Sequence, residues 1–137
     1  MYSLASLNGT YGFYRFGTNH SSTPAIDVAS VGHITFDGKG GASGTQQTSN
    51  SGSFDPTVPG FPAPTPYSYT VSSNGTYAVM AAGNVLSNGV IVDGGNELYS
   101  MSMVGDRAVI VVAKRMPESI DPRLTHPEFD PSNLPKP

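Results

Sequence analysis

An all-β chain, folded as an eight-stranded antiparallel up-and-down barrel, is what this sequence predicts, and three observations carry that prediction. Helical periodicity is nearly absent, while short runs alternating apolar and polar residues recur along the chain. Gly, Asn and Asp punctuate those runs at short intervals, and these residues accept the positive φ of tight hairpins. The 12 prolines gather in two places, five between 56 and 66 and six between 117 and 137, leaving only Pro24 elsewhere. Proline has no N–H to give to a sheet ladder, so strands belong in the nearly proline-free remainder.

The elements follow in order. Thr10 to Phe16 reads as a first strand, with Tyr11 and Phe13 alternating against Tyr14 and Phe16. Ala25 to Phe36 makes a longer second strand that ends at Asp37-Gly38-Lys39-Gly40-Gly41, a hairpin turn, and Ala42 to Asn50 is its polar partner. Tyr67 to Val71 and Thr76 to Ala81 flank Ser73-Asn74-Gly75, and Asn-Gly between two alternating runs is the strongest short hairpin signal. Gly89 to Val92, Glu97 to Met103 and Arg107 to Lys114 complete the set. Short turns make the series a meander, and closing a meander into a barrel removes both exposed edges. An open sandwich is the second choice.

The 137 residues, 37% of them apolar, suffice for one domain with a real core. The barrel domain spans 1–116, with residues 53–66 as a Pro-rich loop and 117–137 as an extended Pro-rich C-terminal arm. The loop carries Phe54, Val58 and Phe61, an apolar content that suits a lid over one mouth, with Phe54 and Phe61 as its contacts. The arm carries Ile120, Leu124, Phe129 and Leu134, which suits docking on the barrel or on a neighbouring subunit of a homo-oligomer.

Composition excludes several classes. Without Cys there is no disulfide scaffold and no thiolate metal site. A net charge of −3 without clustered Lys or Arg argues against nucleic acid as a partner. No stretch reaches the ~20 apolar residues of a membrane-spanning helix. Met1-Tyr2-Ser3-Leu4 has neither the basic start nor the apolar run of a signal peptide, which leaves a cytoplasmic protein and a mature exported domain equally open. Asn8, Asn19 and Asn74 head glycosylation triplets, which arise easily in a chain so rich in Ser and Thr.

Leu7-Asn8-Gly9-Thr10-Tyr11-Gly12-Phe13 resembles the opening of calycin-type barrels, lipocalins and streptavidin-like proteins, which place a Gly-x-aromatic on the first strand. Together with Val31 to Gly40 it is also similar to bacterial barrel domains with a Gly-Thr-Tyr opening and an Asp-Gly-x-Gly turn. The overall plan is similar to allene oxide cyclase barrels, which include bacterial cyclases. The resemblance covers residues 7–115 and is one of pattern. In lipocalins a Trp stands where Tyr11 does and a late Arg packs on it, a part the resemblance gives to Arg115. It further implies a small apolar ligand in the barrel interior.

Three groups of residues could carry chemistry. His20, His33 and His126 are the only histidines, none spaced i,i+2 or i,i+4 from another, so neither a metal site nor a cofactor is expected. Asp27 and His33 differ by six positions and so share a face of their strand, while Arg15 shares one with Tyr11 and Phe13. If both faces point inward, a carboxylate, an imidazole and a guanidinium meet among aromatic rings as catalytic candidates. If not, Ile34 and Phe36 fill the interior instead. Tyr67, Tyr69, Tyr77, Tyr99, Met101 and Met103, with Tyr11 and Phe13, are the candidate ligand-lining side chains, although a packed core would use the same residues.

The leading expectation is therefore a barrel that binds a small, largely apolar molecule. A cofactor-free isomerase or cyclase acting on a hydrophobic substrate in the same interior is the first alternative. An assembly subunit linked through its arm is the second.

Overall fold

The computed structural model describes residues 1–21, 23–50 and 63–117. Eight antiparallel strands close into one barrel, each paired with its neighbour in sequence and the last with the first. They are β1 (Asn8–Asn19), β2 (Ile26–Asp37), β3 (Gly41–Asn50), β4 (Thr65–Val71), β5 (Thr76–Ala81), β6 (Asn84–Val92), β7 (Glu97–Ser102) and β8 (Arg107–Arg115). Single 3₁₀ turns at Leu4–Ser6 and Asp93–Gly95 are the only helical pieces among the described residues. The proposed lid contacts Phe54 and Phe61, and residues 118–137 of the arm, lie outside the described residues.

Turn chemistry sets the hairpins. Asp37 Oδ1 accepts hydrogen bonds from the Lys39 N–H (2.7 Å) and the Gly41 N–H (2.9 Å), folding the β2–β3 connection back on itself. Asn74 does the same for β4–β5, its Oδ1 accepting from the N–H (3.1 Å) and Oγ1 (2.8 Å) of Thr76. The closing seam pairs Tyr11 with Arg115 and runs without a break to Asn19 with Arg107.

Three strands extend beyond expectation by two residues or more, the first running Asn8–Asn19 where the sequence predicts Thr10 to Phe16. The sixth strand begins at Asn84, five residues before the predicted Gly89, because a register shift at Val79/Met80 breaks the alternation of its first half. The fourth begins at Thr65, with Pro66 inside it, near the strand's start, where proline is tolerated.

Antiparallel partners point to the same side of the sheet, so one known direction fixes the rest. Tyr11 is fully buried, and the register carries its side through Phe13 and Arg15 on β1 to Val28, Ser30, Ile34 and Phe36 on β2. The same side continues through Tyr67, Tyr69, Tyr77 and Val79, and then through Leu98, Ser100, Val111 and Ala113. Gly32 and Gly89 lie on this inner face for a steric reason. A Cβ on Gly32 would stand 2.8 Å from Phe13 Cζ, and one on Gly89 2.6 Å from Tyr77 Cε1. At both positions the neighbouring strand's carbonyl oxygen, of Thr45 and of Tyr99, lies closer still, so neither has room for a side chain.

The packed core occupies the lower half, at the end where β1 begins. Leu7, Tyr11, Phe36, Tyr69, Ile91 and Leu98 are its principal members. Above them the wall is uneven. β1, β2 and β3 run 12, 12 and 10 residues, whereas β4, β5 and β7 run 7, 6 and 6. β4 meets β3 only through Gly41–Gly44, so among the described residues the upper half of β3 has no strand of the sheet on that side.

Candidate functional site

The floor of the interior is a hydrogen-bonded knot of aromatic and backbone groups. The Phe36 ring meets Tyr11 edge-on at 5.5 Å and Tyr69 at 4.9 Å. Tyr69 OH reaches the carbonyls of Leu4 (2.9 Å) and Leu7 (3.0 Å), tying the N-terminal turn across the barrel end. Arg115 lies over the Tyr11 ring, 5.1 Å from its centroid, and Nη2 donates to Tyr11 OH at 2.8 Å and to the Gly95 carbonyl at 3.2 Å. The same guanidinium donates to the Asn8 carbonyl, and Tyr11 OH donates to that of Gly95. Burial raises the Tyr11 pKa and the neighbouring Arg115 opposes that rise, so the phenol stays a donor at neutral pH.

Above this floor the barrel is not filled. A cavity of about 270 Å³ extends from Phe36 and Leu98 to a rim that includes the exposed Ala63 and Thr65. Its apolar wall is formed by Phe13, Ile34, Val79, Leu86, Val111 and Ala113. Gln46, Tyr67, Ser87, Ser100 and Ser102 supply neutral polar groups. Burial raises the Tyr77 pKa, and the nearby Ser100 hydroxyl partly opposes that rise.

Among the described residues, Arg15 is the one charged side chain lining this space. It projects between Ser30 on β2 and Val111 on β8. Its Nε is buried and has no hydrogen-bond partner, and no carboxylate lines the cavity among the described residues. Burial lowers its pKa, the like charge of Arg107 lowers it further, and Tyr67 acts the other way.

The sequence-derived candidates divide cleanly by side. Phe13, Arg15, Tyr67 and Tyr77 line the cavity, while Tyr11 and Tyr69 are buried in the floor beneath it. Asp27 and His33 do share a face, as their spacing requires, but it is the outer one. His33 pairs with Gly12 and Asp27 with Thr18, each one position out of phase with the inward Phe13 and Gly17 series, so neither joins Arg15. Tyr99 and Met101 also face outward, and Met103 follows the end of β7 at 51% exposure. The inner positions of β7 are Leu98, Ser100 and Ser102. The expected stripe of Tyr99, Met101 and Met103 is thus corrected to a stripe dominated by serine, because the large side chains of that strand are on its outside. Among the described residues, no three His, Asp or Glu side chains come together as a metal site.

Sequence reasoning missed Gln46, Ser87, Ser100, Ser102 and Val111. A signal for them existed: Ser100 and Ser102 alternate with Leu98 on the strand, two small groups where a filled barrel needs bulk. Comparison with known proteins returns no matching family model, no matching curated protein and no matching solved structure.

Proposed function

We propose that the barrel binds a small, largely apolar molecule in its upper interior. The observation that carries this reading is the 270 Å³ cavity above a tightly packed floor, walled by Phe13, Ile34, Val79 and Val111 with a few hydroxyl and amide groups among them. Small-molecule sites have this make-up, and the volume lies near the lower end of their usual range of ~300–1,000 Å³. A barrel whose only role is structural has no use for the void, since unfilled apolar volume costs stability at about 24 cal/mol per Å³. The contact of Arg115 with Tyr11 supports the likeness to calycin-type barrels, whose interiors hold such ligands.

Binding is favoured over isomerisation or cyclisation by what faces inward. The proton carriers expected for catalysis, Asp27 and His33, lie on the outer face, and among the described residues the cavity retains only Arg15 and the tyrosines 67 and 77 as ionisable groups. The reading is tested by methyl NMR with 1-octanol as probe. Methyl signals of Ile34, Val79, Leu98 and Val111 are expected to shift while those of Val31, Val90 and Ile110 on the outer wall stay in place, and Val111→Phe should abolish the shifts by filling the cavity. Shifts confined to the outer methyls, or binding unaffected by Val111→Phe, would overturn it.

A further inference from the structure

The position of Arg15 says more about the ligand than its size does, provided the cavity is the binding site just described. A guanidinium taken out of water normally keeps a carboxylate or several carbonyls close by, because leaving buried donors unmade costs free energy. Arg115 in the same barrel shows the ordinary arrangement, with backbone carbonyls and a phenol around it. Arg15, which is half-buried, has no such set among the described residues. Its Nε is buried and unpartnered, it borders a space free of carboxylates among the described residues, and Arg107 stands near with the same charge. Two strands along the wall, β7 presents the hydroxyls of Ser100 and Ser102. The site is thus short of one anion.

We propose that the natural ligand is a small amphipathic carboxylic acid whose carboxylate pairs with the Arg15 guanidinium while its apolar body lies against Phe13, Ile34, Val79 and Val111. A carboxylate matches the planar fork of a guanidinium with two parallel hydrogen bonds. At roughly 30 Å³ for each water-sized volume, the cavity of about 270 Å³ admits about nine non-hydrogen atoms, close to the size of a medium-chain acid.

Calorimetric titration of the full chain with octanoate and with 1-octanol at pH 7.5 tests this. A carboxylate is far better hydrated than an alcohol, so an apolar pocket by itself prefers octanol. The wild type should nonetheless bind octanoate about 10-fold or more tighter, the ratio expected of one charge-assisted pair. Arg15→Met should reverse that preference and leave octanol affinity within about 3-fold, since one pair's charge is removed and the wall becomes apolar. Because Arg15 has no internal partner to lose, Arg15→Met should also melt at or above the wild-type temperature. Octanol binding without preference for octanoate, or a large drop in melting temperature on Arg15→Met, would overturn the acid assignment and leave the cavity reading standing. If neither probe binds, the cavity reading falls and this one with it.

The outer wall carries an independent feature. Tyr14 and Phe16 on β1, Val31 on β2, Ile110 on β8, and Tyr99 and Met101 on β7 are each 42–55% exposed and stand beside one another in the pairing register. Val90 on β6 extends the same face past Tyr99. At the ~150–250 Å² of a large aromatic side chain, these residues at half exposure amount to about 700 Å². The largest apolar patch on a typical monomer is ~300–600 Å², and one partner of a standard interface contributes ~800 Å². The other side of the barrel is polar, presenting Ser43, Gln47 and Ser49 from β3 and Ser68 and Thr70 from β4. A membrane-spanning barrel needs an apolar band all round, so this one-sided face fits a protein surface instead.

We infer that two copies of this chain pair through the outer face of β2, β1, β8, β7 and β6. The centre of that face carries no charge, and its borders carry both signs, Asp27 at one end and Lys114 and Glu97 at the other. A two-fold axis at the centre lays such a surface on itself without juxtaposing like charges across the apolar zone. Sedimentation velocity of the full chain from about 1 to 100 µM should show dimer, and Ile110→Lys and Phe16→Glu should each yield monomer with an unchanged circular-dichroism spectrum. A wild-type monomer throughout that range overturns the pairing. So does a dimer that survives both substitutions, because it must form through another surface.

Discussion

Replacing Phe36 by alanine and, separately, Phe16 by alanine tests which side of the sheet is which. Phe36 is 2% exposed and touches Tyr11 and Tyr69 edge-on, at 5.5 and 4.9 Å between ring centroids. Phe→Ala in a core costs about 3–5 kcal/mol, and two edge-to-face pairs worth ~0.5–1.5 kcal/mol each move Phe36 to the top of that range, about 5 kcal/mol. Phe16 lies five pairs further along the seam with Ile110, is 49% exposed, and only stacks on Tyr14 at 6.1 Å. Removing it opens no enclosed cavity, so its loss should be about 1 kcal/mol. Stability in this size class is ~0.05–0.15 kcal/mol per residue, so the Phe36 variant should lose about a quarter to three-quarters of its total and still fold. Urea denaturation followed by circular dichroism and tyrosine fluorescence, at sub-micromolar protein to keep association out of the measurement, gives both values. Equal losses, or a larger loss at Phe16, would refute the inside–outside assignment of β1 and β2, and with it the cavity.

Two other substitutions read local geometry. Gly89→Ala should destabilise by about 2 kcal/mol or more, since the new Cβ falls 2.5 Å from the Tyr99 carbonyl oxygen and 2.6 Å from Tyr77 Cε1; Gly83→Ala, with nothing within 4 Å but a φ of +78°, should cost only about 1 kcal/mol, and differential scanning calorimetry ranks the two. The backbone N–H groups of Lys39 and Gly41 hold the Asp37 carboxyl below its ordinary value, so its contribution is present above about pH 4 and disappears as pH falls through its lowered folded-state pKa; Asp37→Ala should lower the melting temperature at pH 7 and leave it nearly unchanged at the acid end of a pH series.

The strands were legible because alternation and turn chemistry are local. Asp37-Gly38 and Asn74-Gly75 mark their hairpins in any context, and closure follows from the cost of free edges. What alternation does not contain is the choice of which face is buried. On β7 the large residues Tyr99 and Met101 point outward and Ser100 and Ser102 inward, so a rule that places bulk inside picks the wrong set. The apolar outer wall causes that inversion. Tyr14 and Phe16 set against Tyr11 and Phe13, and Ile110-Val111-Val112, apolar on both sides, are its traces in the sequence. Arg15 could be placed with Tyr11 and Phe13 from spacing alone, but its lack of a partner is a fact about eight strands at once and no single segment encodes it.

The seam between β1 and β8 also has a consequence in time. Tyr11 OH meets Arg115 across 104 residues of chain, so the first strand waits for the last before either finds its second neighbour. On a ribosome adding ~5–20 residues per second, β1 spends several seconds with one edge unpaired, presenting Tyr14 and Phe16 to every other nascent chain nearby. A chain halted before Arg107 leaves both β1 and β7 as open edges. Such fragments should aggregate as they are made, and the yield of folded protein should depend on how quickly the final nine-residue strand leaves the exit tunnel.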